Sequence, residues 1–173
     1  MTDQEVFDLV IAEMTEKSGI NINTNATKFI QMCGPNATVA PGCYCIGQWR
    51  RGKWSEEILH FVIKNQPDRI LEVLFHEIAH ATGLRLGRIM EIDHSESLYA
   101  REEVIAETTA QILINHFGLM TDDIQYETND YIDAYKYTVD MILATELAQK
   151  AAEYILENWL PDFNSTCQQR KAA

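Results

Sequence analysis

The stretch Val73-Leu-Phe-His-Glu-Ile-Ala-His-Ala-Thr-Gly83 places His76 and His80 four residues apart, with Glu77 beside the first. At 3.6 residues per turn, two side chains so spaced leave a helix on one face, one turn apart. Two imidazoles in that relation can hold one Zn2+ at ~2.0–2.1 Å each. Glu77 lies about 100° round the helix from His76, close enough to reach a water at the metal without ligating it. His-Glu-x-x-His therefore supplies two ligands and one carboxylate able to take a proton from water. A chance occurrence in a buried helix is the alternative, since only three positions are fixed. The neighbours weigh against chance. Ile70, Leu71, Val73, Leu74, Phe75 and Ile78 are apolar, and two histidines and a glutamate among them need partners to be buried at all. A metal provides those partners.

The third ligand has to come from elsewhere. In the metzincin pattern a histidine follows three residues after the glycine, but here that position is Leu86. His94 lies in the polar loop Glu91-Ile-Asp-His-Ser-Glu96, with no helical frame to aim it. The stronger source is Tyr99-Ala-Arg-Glu-Glu-Val-Ile-Ala-Glu-Thr-Thr-Ala-Gln-Ile-Leu113. On a helix, Glu103 and Glu107 share a face, with Ala106 and Ala110 beside them. Small residues there, and Ala79 opposite, let two helices approach closely. One glutamate then ligates the metal, while the other accepts a hydrogen bond from a ligand histidine and fixes its tautomer. The bland reading is a solvated acidic face shared with Glu102. It explains the alanines less well.

Around this centre the pattern predicts an α+β fold, a small antiparallel sheet followed mainly by helices. Val6, Phe7, Val10, Ile11 and Met14 give residues 4–17 a helical apolar stripe. The turn formers of residues 18–29 (SGININTNATKF) and 33–42 (CGPNATVAPG) predict irregular chain. Residues 43–49 and 58–63 read as two strands joined by the turn-rich Arg50-Arg-Gly-Lys53. A helix then starts near Pro67 and Asp68 and stops at Gly83. Others cover residues 99–117, begin near Asn129, and run over 141–159 until Pro161. The organisation expected is one domain over 1–173, with a helix and sheet in 1–66, the zinc-site helices in 67–160, and a tail in 161–173.

Charge and cysteines narrow the function classes. With 14 basic and 26 acidic residues among 173, the net charge is -12. Phosphate contacts need clustered Lys and Arg, so direct nucleic-acid binding is not expected. No apolar run approaches the ~20 residues that span a bilayer, and the acidic, amphipathic start lacks a secretory signal's basic and apolar blocks, so a cytoplasmic protein is expected. Cys43 and Cys45 form a Cys-x-Cys, but no second pair stands at zinc-ribbon spacing. Alternation there predicts two small side chains on one strand face.

Three separated blocks carry a family resemblance: Leu74-Phe-His-Glu-Ile-Ala-His-Ala-Thr-Gly83, then Tyr99-Ala-Arg-Glu-Glu-Val-Ile-Ala-Glu107, then Tyr131-Ile-Asp-Ala-Tyr-Lys-Tyr137 with Ala148-Gln-Lys-Ala-Ala-Glu-Tyr-Ile-Leu156. Over residues 71–156 the chain resembles the zincin-like metallopeptidase domain of ArdC-type antirestriction proteins. These occur on conjugative plasmids and phages and in polyvalent phage proteins. The resemblance implies a gluzincin-like fold, with the His-Glu-x-x-His helix and a downstream glutamate helix. It assigns the ligand role to Glu103, beside His76 and His80, and the supporting role to Glu107. It implies a zinc metallopeptidase of a phage or mobile element acting on a protein or peptide in the bacterial cytoplasm, with Glu77 as general base. Tyr131, Tyr135 or Tyr137 is a candidate aid to the oxyanion, or simply core or rim. The rival is a non-catalytic antirestriction or regulatory protein, with a structural zinc and an acidic surface facing a host DNA-binding protein. Leu84-Arg-Leu-Gly-Arg88 is shorter than the family's usual His-x-x-Arg-Leu-x-Arg loop, so the rim of the site is expected to differ.

Overall fold

Helix α1 (Asp3–Lys17) begins at a capping box. The Thr2 hydroxyl accepts from the Glu5 N–H, and the Glu5 carboxylate accepts from the Thr2 N–H at 2.8 Å, satisfying two donors that a helix start leaves open. The predicted stripe is the buried one: Val6, Phe7, Val10 and Met14 all face the core. The computed structural model describes residues 2–24, 42–46, 49–50, 53–54, 57–61, 69–88, 95–119 and 121–160. His94, Pro67, Asp68, Pro161 and the tail lie outside the described residues.

Among the described residues five short strands follow: β1 (Asn21–Asn23), β2 (Gly42–Ile46), β3 (Trp49–Arg50), β4 (Lys53–Trp54) and β5 (Glu57–Phe61). The expected antiparallel pair is β2 with β5, Tyr44 opposite Leu59. The sheet is nevertheless mixed, ordered β1-β5-β2, because β1 joins β5 in parallel. That corrects both the all-antiparallel expectation and the irregular reading of Asn21-Ile-Asn23. Three residues are too few to display a period of two, and β1 owes its extended form to pairing with β5 rather than to its own composition. The turn-rich segment also holds more order than expected, since β3 and β4 pair as a separate ribbon.

Four more helices complete the described chain: α2 (Ile70–Arg85), α3 (Glu96–His116), α4 (Asp122–Asp133) and α5 (Met141–Asn158). Gly83 does not stop α2; it is buried inside it. The stop is Gly87 at φ 68°, where a side chain would be strained. The Arg88 N–H reaches the Gly83 carbonyl at 2.8 Å and the Gly87 N–H reaches Leu84 at 3.4 Å, the paired bonds of a Schellman end. Helix α4 starts well before Asn129. Thr121 caps it, and Asp122 and Asp123 suit the positive end of its dipole.

Helix α2 is the centre of the core. Ile70, Leu71, Leu74, Phe75 and Ile78 pack with α1, with Leu59 of β5, with Leu113 and Ile114 of α3, and with Ile155 and Trp159 at the end of α5. A second cluster joins Val104 and Ile105 of α3 to Ala144 and Ala148 of α5. Ala79, Ala106 and Ala110 are buried, as the close approach of two helices requires.

One polar knot ties these layers together. Arg85 grips both oxygens of Glu57 and also donates to the Ala81 carbonyl at 2.9 Å and the Ser18 carbonyl at 3.3 Å. The Tyr44 hydroxyl donates to Glu57 at 2.5 Å, and the Arg85 guanidinium lies 5.0 Å over the Trp159 ring. Burial pushes the Glu57 carboxyl up, but hydrogen bonds from Arg85 and Tyr44 and the Arg85 charge outweigh it and hold its pKa below the ordinary 4.5. A carboxylate with a depressed folded pKa stabilises fully above its unfolded value and stops doing so as pH falls through the folded one. Glu57→Gln should therefore cost about 1–3 kcal/mol at pH 7, and its deficit against wild type should shrink as the pH drops below the ordinary carboxylate range. Urea unfolding at neutral and acid pH checks this; a deficit that does not change with pH refutes it.

Candidate metal centre

Helices α2 and α3 run antiparallel where they meet, since His76 faces Glu107 while His80 faces Glu102 and Glu103. The four-residue spacing on α2 brings the two ring Nε2 atoms to 3.1 Å. Glu103 closes the group: its Oε2 stands 3.5 Å from His76 Nε2 and its Oε1 3.6 Å from His80 Nε2. The three side chains are only 17 %, 14 % and 12 % exposed. Among the described residues, these are the ones whose ligand atoms gather within 4.8 Å of one another.

The outer ring nitrogens turn to carboxylates. His76 Nδ1 lies 2.9 Å from Glu107 Oε2, where the carboxylate accepts from the ring, and Nε2 is aimed at the group. His80 Nδ1 faces Glu102 Oε1 at 3.7 Å. Both Nε2 atoms and a carboxylate thus converge on one point, an arrangement that a positive centre, a proton or a metal ion, stabilises. The electrostatics agree. Burial opposes charge on His76, yet hydrogen bonds to Glu103 and Glu107 and the nearby Glu77 raise its pKa to about 10. Burial likewise raises Glu103, but the His76 hydrogen bond, the His80 charge and Tyr131 bring it down to about 2.

Glu77 sits beside this group and outside it. Burial raises its pKa and the Glu103 charge adds to that, partly offset by both histidines and by the Tyr44 backbone N–H on strand β2. Of the three candidate tyrosines, Tyr131 is the one that touches the group, donating to Glu103 Oε2 at 2.7 Å. Tyr135 packs against its ring at 5.5 Å, while Tyr137 is 90 % exposed. Tyr99, one turn before Glu103, also bonds to it, and burial and that carboxylate push its pKa to about 12.

Donors at ~2.0–2.1 Å from a tetrahedral ion stand ~3.3 Å apart. The separations of 3.1, 3.5 and 3.6 Å match that, and the set is two imidazoles and a carboxylate. His76, His80 and Glu103 can hold zinc.

Residues 60–141 match the family described as zincin-like metallopeptidase, MPTase-PolyVal. The zincin-like segment begins in β5 and ends where α5 starts, so α2, α3 and α4 lie inside it with every residue of the cluster. It starts and stops earlier than the expected 71–156. The family implies zinc, which the donor set fits. No curated protein and no solved structure matches the chain. Among the described residues, no helix is long and apolar enough to cross a membrane.

The structure adds two residues to the expected zincin-like set. Glu102, given no role by the sequence beyond the bland reading of a solvated face, is turned to His80 and held by Arg88. The helical wheel contained a hint, since Glu102 and Glu107 flank Glu103 on its two sides. For Arg88 the signal lay only in the resemblance, since Arg85-Leu-Gly-Arg88 fits the Arg-Leu-x-Arg end of the family's loop, and nothing in the helical pattern tied it to Glu102. Strand β2 is confirmed for Cys43 and Cys45, whose side chains lie outside the described set.

Proposed function

We propose that this chain is a zinc metallopeptidase of a phage or mobile element, with His76, His80 and Glu103 as the metal ligands and Glu77 as the general base. The observation that carries the reading is the convergence of both Nε2 atoms and the Glu103 carboxylate within 3.1–3.6 Å, inside the segment that matches a zincin-like family. When bound, zinc supplies Lewis acidity to a peptide carbonyl and brings the pKa of a water towards ~7. Glu77 takes the proton of the attacking water and passes it to the leaving amine. The Tyr44 N–H fixes the Glu77 carboxylate from the strand side. Glu107 holds the His76 proton on Nδ1, so that the donor atom stays free. Glu107→Ala should keep the fold and weaken zinc binding about 10–100-fold, as competition with a chromophoric chelator would read.

In this proposal the whole of 1–173 works as one domain, in the bacterial cytoplasm, on a protein or peptide, with a role in antirestriction or host takeover. A second reading is favoured by the net charge of -12. In it the zinc is structural and the acidic surface binds a host DNA-binding protein. Glu77 separates the two, because a structural site has no use for a carboxylate beside the ligands. The test is elemental analysis of protein kept from chelators, together with release of new amino termini from a complex peptide library. One zinc per chain and chelator-sensitive cleavage are expected; absence of both overturns the proposal.

A further inference from the structure

Arg88 is buried, its side chain only 3 % exposed, and a guanidinium so placed must be fully partnered. Its partners all sit on the two helices that carry the candidate ligands. Nη1 donates to Thr82 Oγ1 at 2.9 Å and Nη2 to the Ala79 carbonyl at 3.1 Å, both on α2 next to His80. Nε and Nη2 donate to the two oxygens of Glu102 on α3, at 3.1 and 2.8 Å. This two-pronged grip fixes the plane of the carboxylate as a single bond would not. It does not use up its acceptor capacity, since a carboxylate offers about four lone-pair sites. One of these, on Oε1, faces His80 Nδ1 at 3.7 Å. The approach of Arg88 is itself built in: the Gly87 turn ends α2 and folds the chain back over Gly83, with the Arg88 N–H on the Gly83 carbonyl.

We infer that Arg88 is a positioning residue for His80: it clamps Glu102 opposite His80 Nδ1, so that the ring keeps its proton there and directs Nε2 at the metal. The separation of 3.7 Å is beyond hydrogen-bond length, so Glu102 acts on Nδ1 here as a fixed negative charge facing it. Helix α3 then serves the site three times, with Glu107 behind His76, Glu102 behind His80 and Glu103 among the ligands. The inference rests on the zinc reading of the same site. Arg88 touches no reacting group; it works through Glu102.

The experiment measures Zn2+ affinity by chelator competition, and the visible spectrum after Co2+ substitution, for wild type, Glu102→Gln, Arg88→Lys and the double variant. Glu102→Gln preserves size and leaves an amide oxygen for Arg88, and far-UV circular dichroism with unfolding in excess chelator reports the fold of each variant. Each single change should weaken zinc about 10–100-fold and alter the Co2+ bands. The double variant should lose no more than the worse single one, because both act through one carboxylate. If wild type takes up no zinc, the metal reading fails and this inference with it. If wild type binds zinc and folded variants bind it equally well with unchanged Co2+ bands, only the inference fails. Independent, additive losses also overturn it, for they would mean that Arg88 supports the helix end and not Glu102.

Discussion

Glu77→Gln is expected to keep one zinc per chain and to lose peptide hydrolysis by ~10²–10⁴-fold, the usual cost of removing a general base. The substitution conserves the shape and helix propensity of the side chain, and Glu77 is not among the three atoms that gather within 4.8 Å. Metal content should therefore be untouched. What changes is the capacity to accept a proton, which an amide lacks. The same variant divides the two functional readings in cells. A peptidase needs Glu77 for its biological effect; an acidic binder needs only the folded surface. Full activity of Glu77→Gln in a plasmid- or phage-entry assay, alongside unchanged zinc content, would move the assignment to the binder.

The second large effect is loss of the metal itself. His80→Ala and Glu103→Ala each remove one of three convergent donors and should reduce zinc affinity well beyond the 10–100-fold expected of Glu107→Ala. Because zinc would join α2 to α3, its binding energy is partly folding energy. At free zinc a thousand times the Kd, the stabilisation is about 4 kcal/mol. For a chain of this size that corresponds to roughly 8–16 °C in Tm, which chelator should remove from wild type and not from Glu103→Ala. If Glu107→Ala abolishes binding while Glu103→Ala keeps it, the two glutamates have exchanged roles. If neither matters and His94→Ala does, the ligand set is wrong.

The sequence was most informative where one signal dominated. Helix α2 declared itself through an apolar run interrupted only by chemistry, and α3 through Glu103 and Glu107 with alanines alongside. It was least informative where neighbours decide. Gly83 looked like a helix stop, but a buried glycine in a packed helix breaks nothing, and the positive φ at Gly87 does. β1 is three residues long and takes its form from β5. The onset of α4 was legible in Thr121-Asp-Asp, the cap and acidic first turn of a helix poor in apolar residues. Glu102 and Arg88 show the limit plainly. An acidic doublet reads as solvent-facing until a residue beyond the helix end is seen to reach back to it.

The matched segment, 60–141, is smaller than the unit that can carry it. The rear of α2 rests on Val6, Phe7, Val10 and Met14 of α1 and on Ile155 and Trp159 at the far end of α5, all outside that segment. The Arg85 knot likewise draws on Ser18, Tyr44, Glu57 and Trp159. A gene shuffled at the borders of the recognisable motif would inherit the chemistry without its foundation, leaving Leu74, Phe75 and Ile78 open to water. Transplanting the segment therefore preserves the geometry of the site only if these flanking elements move with it.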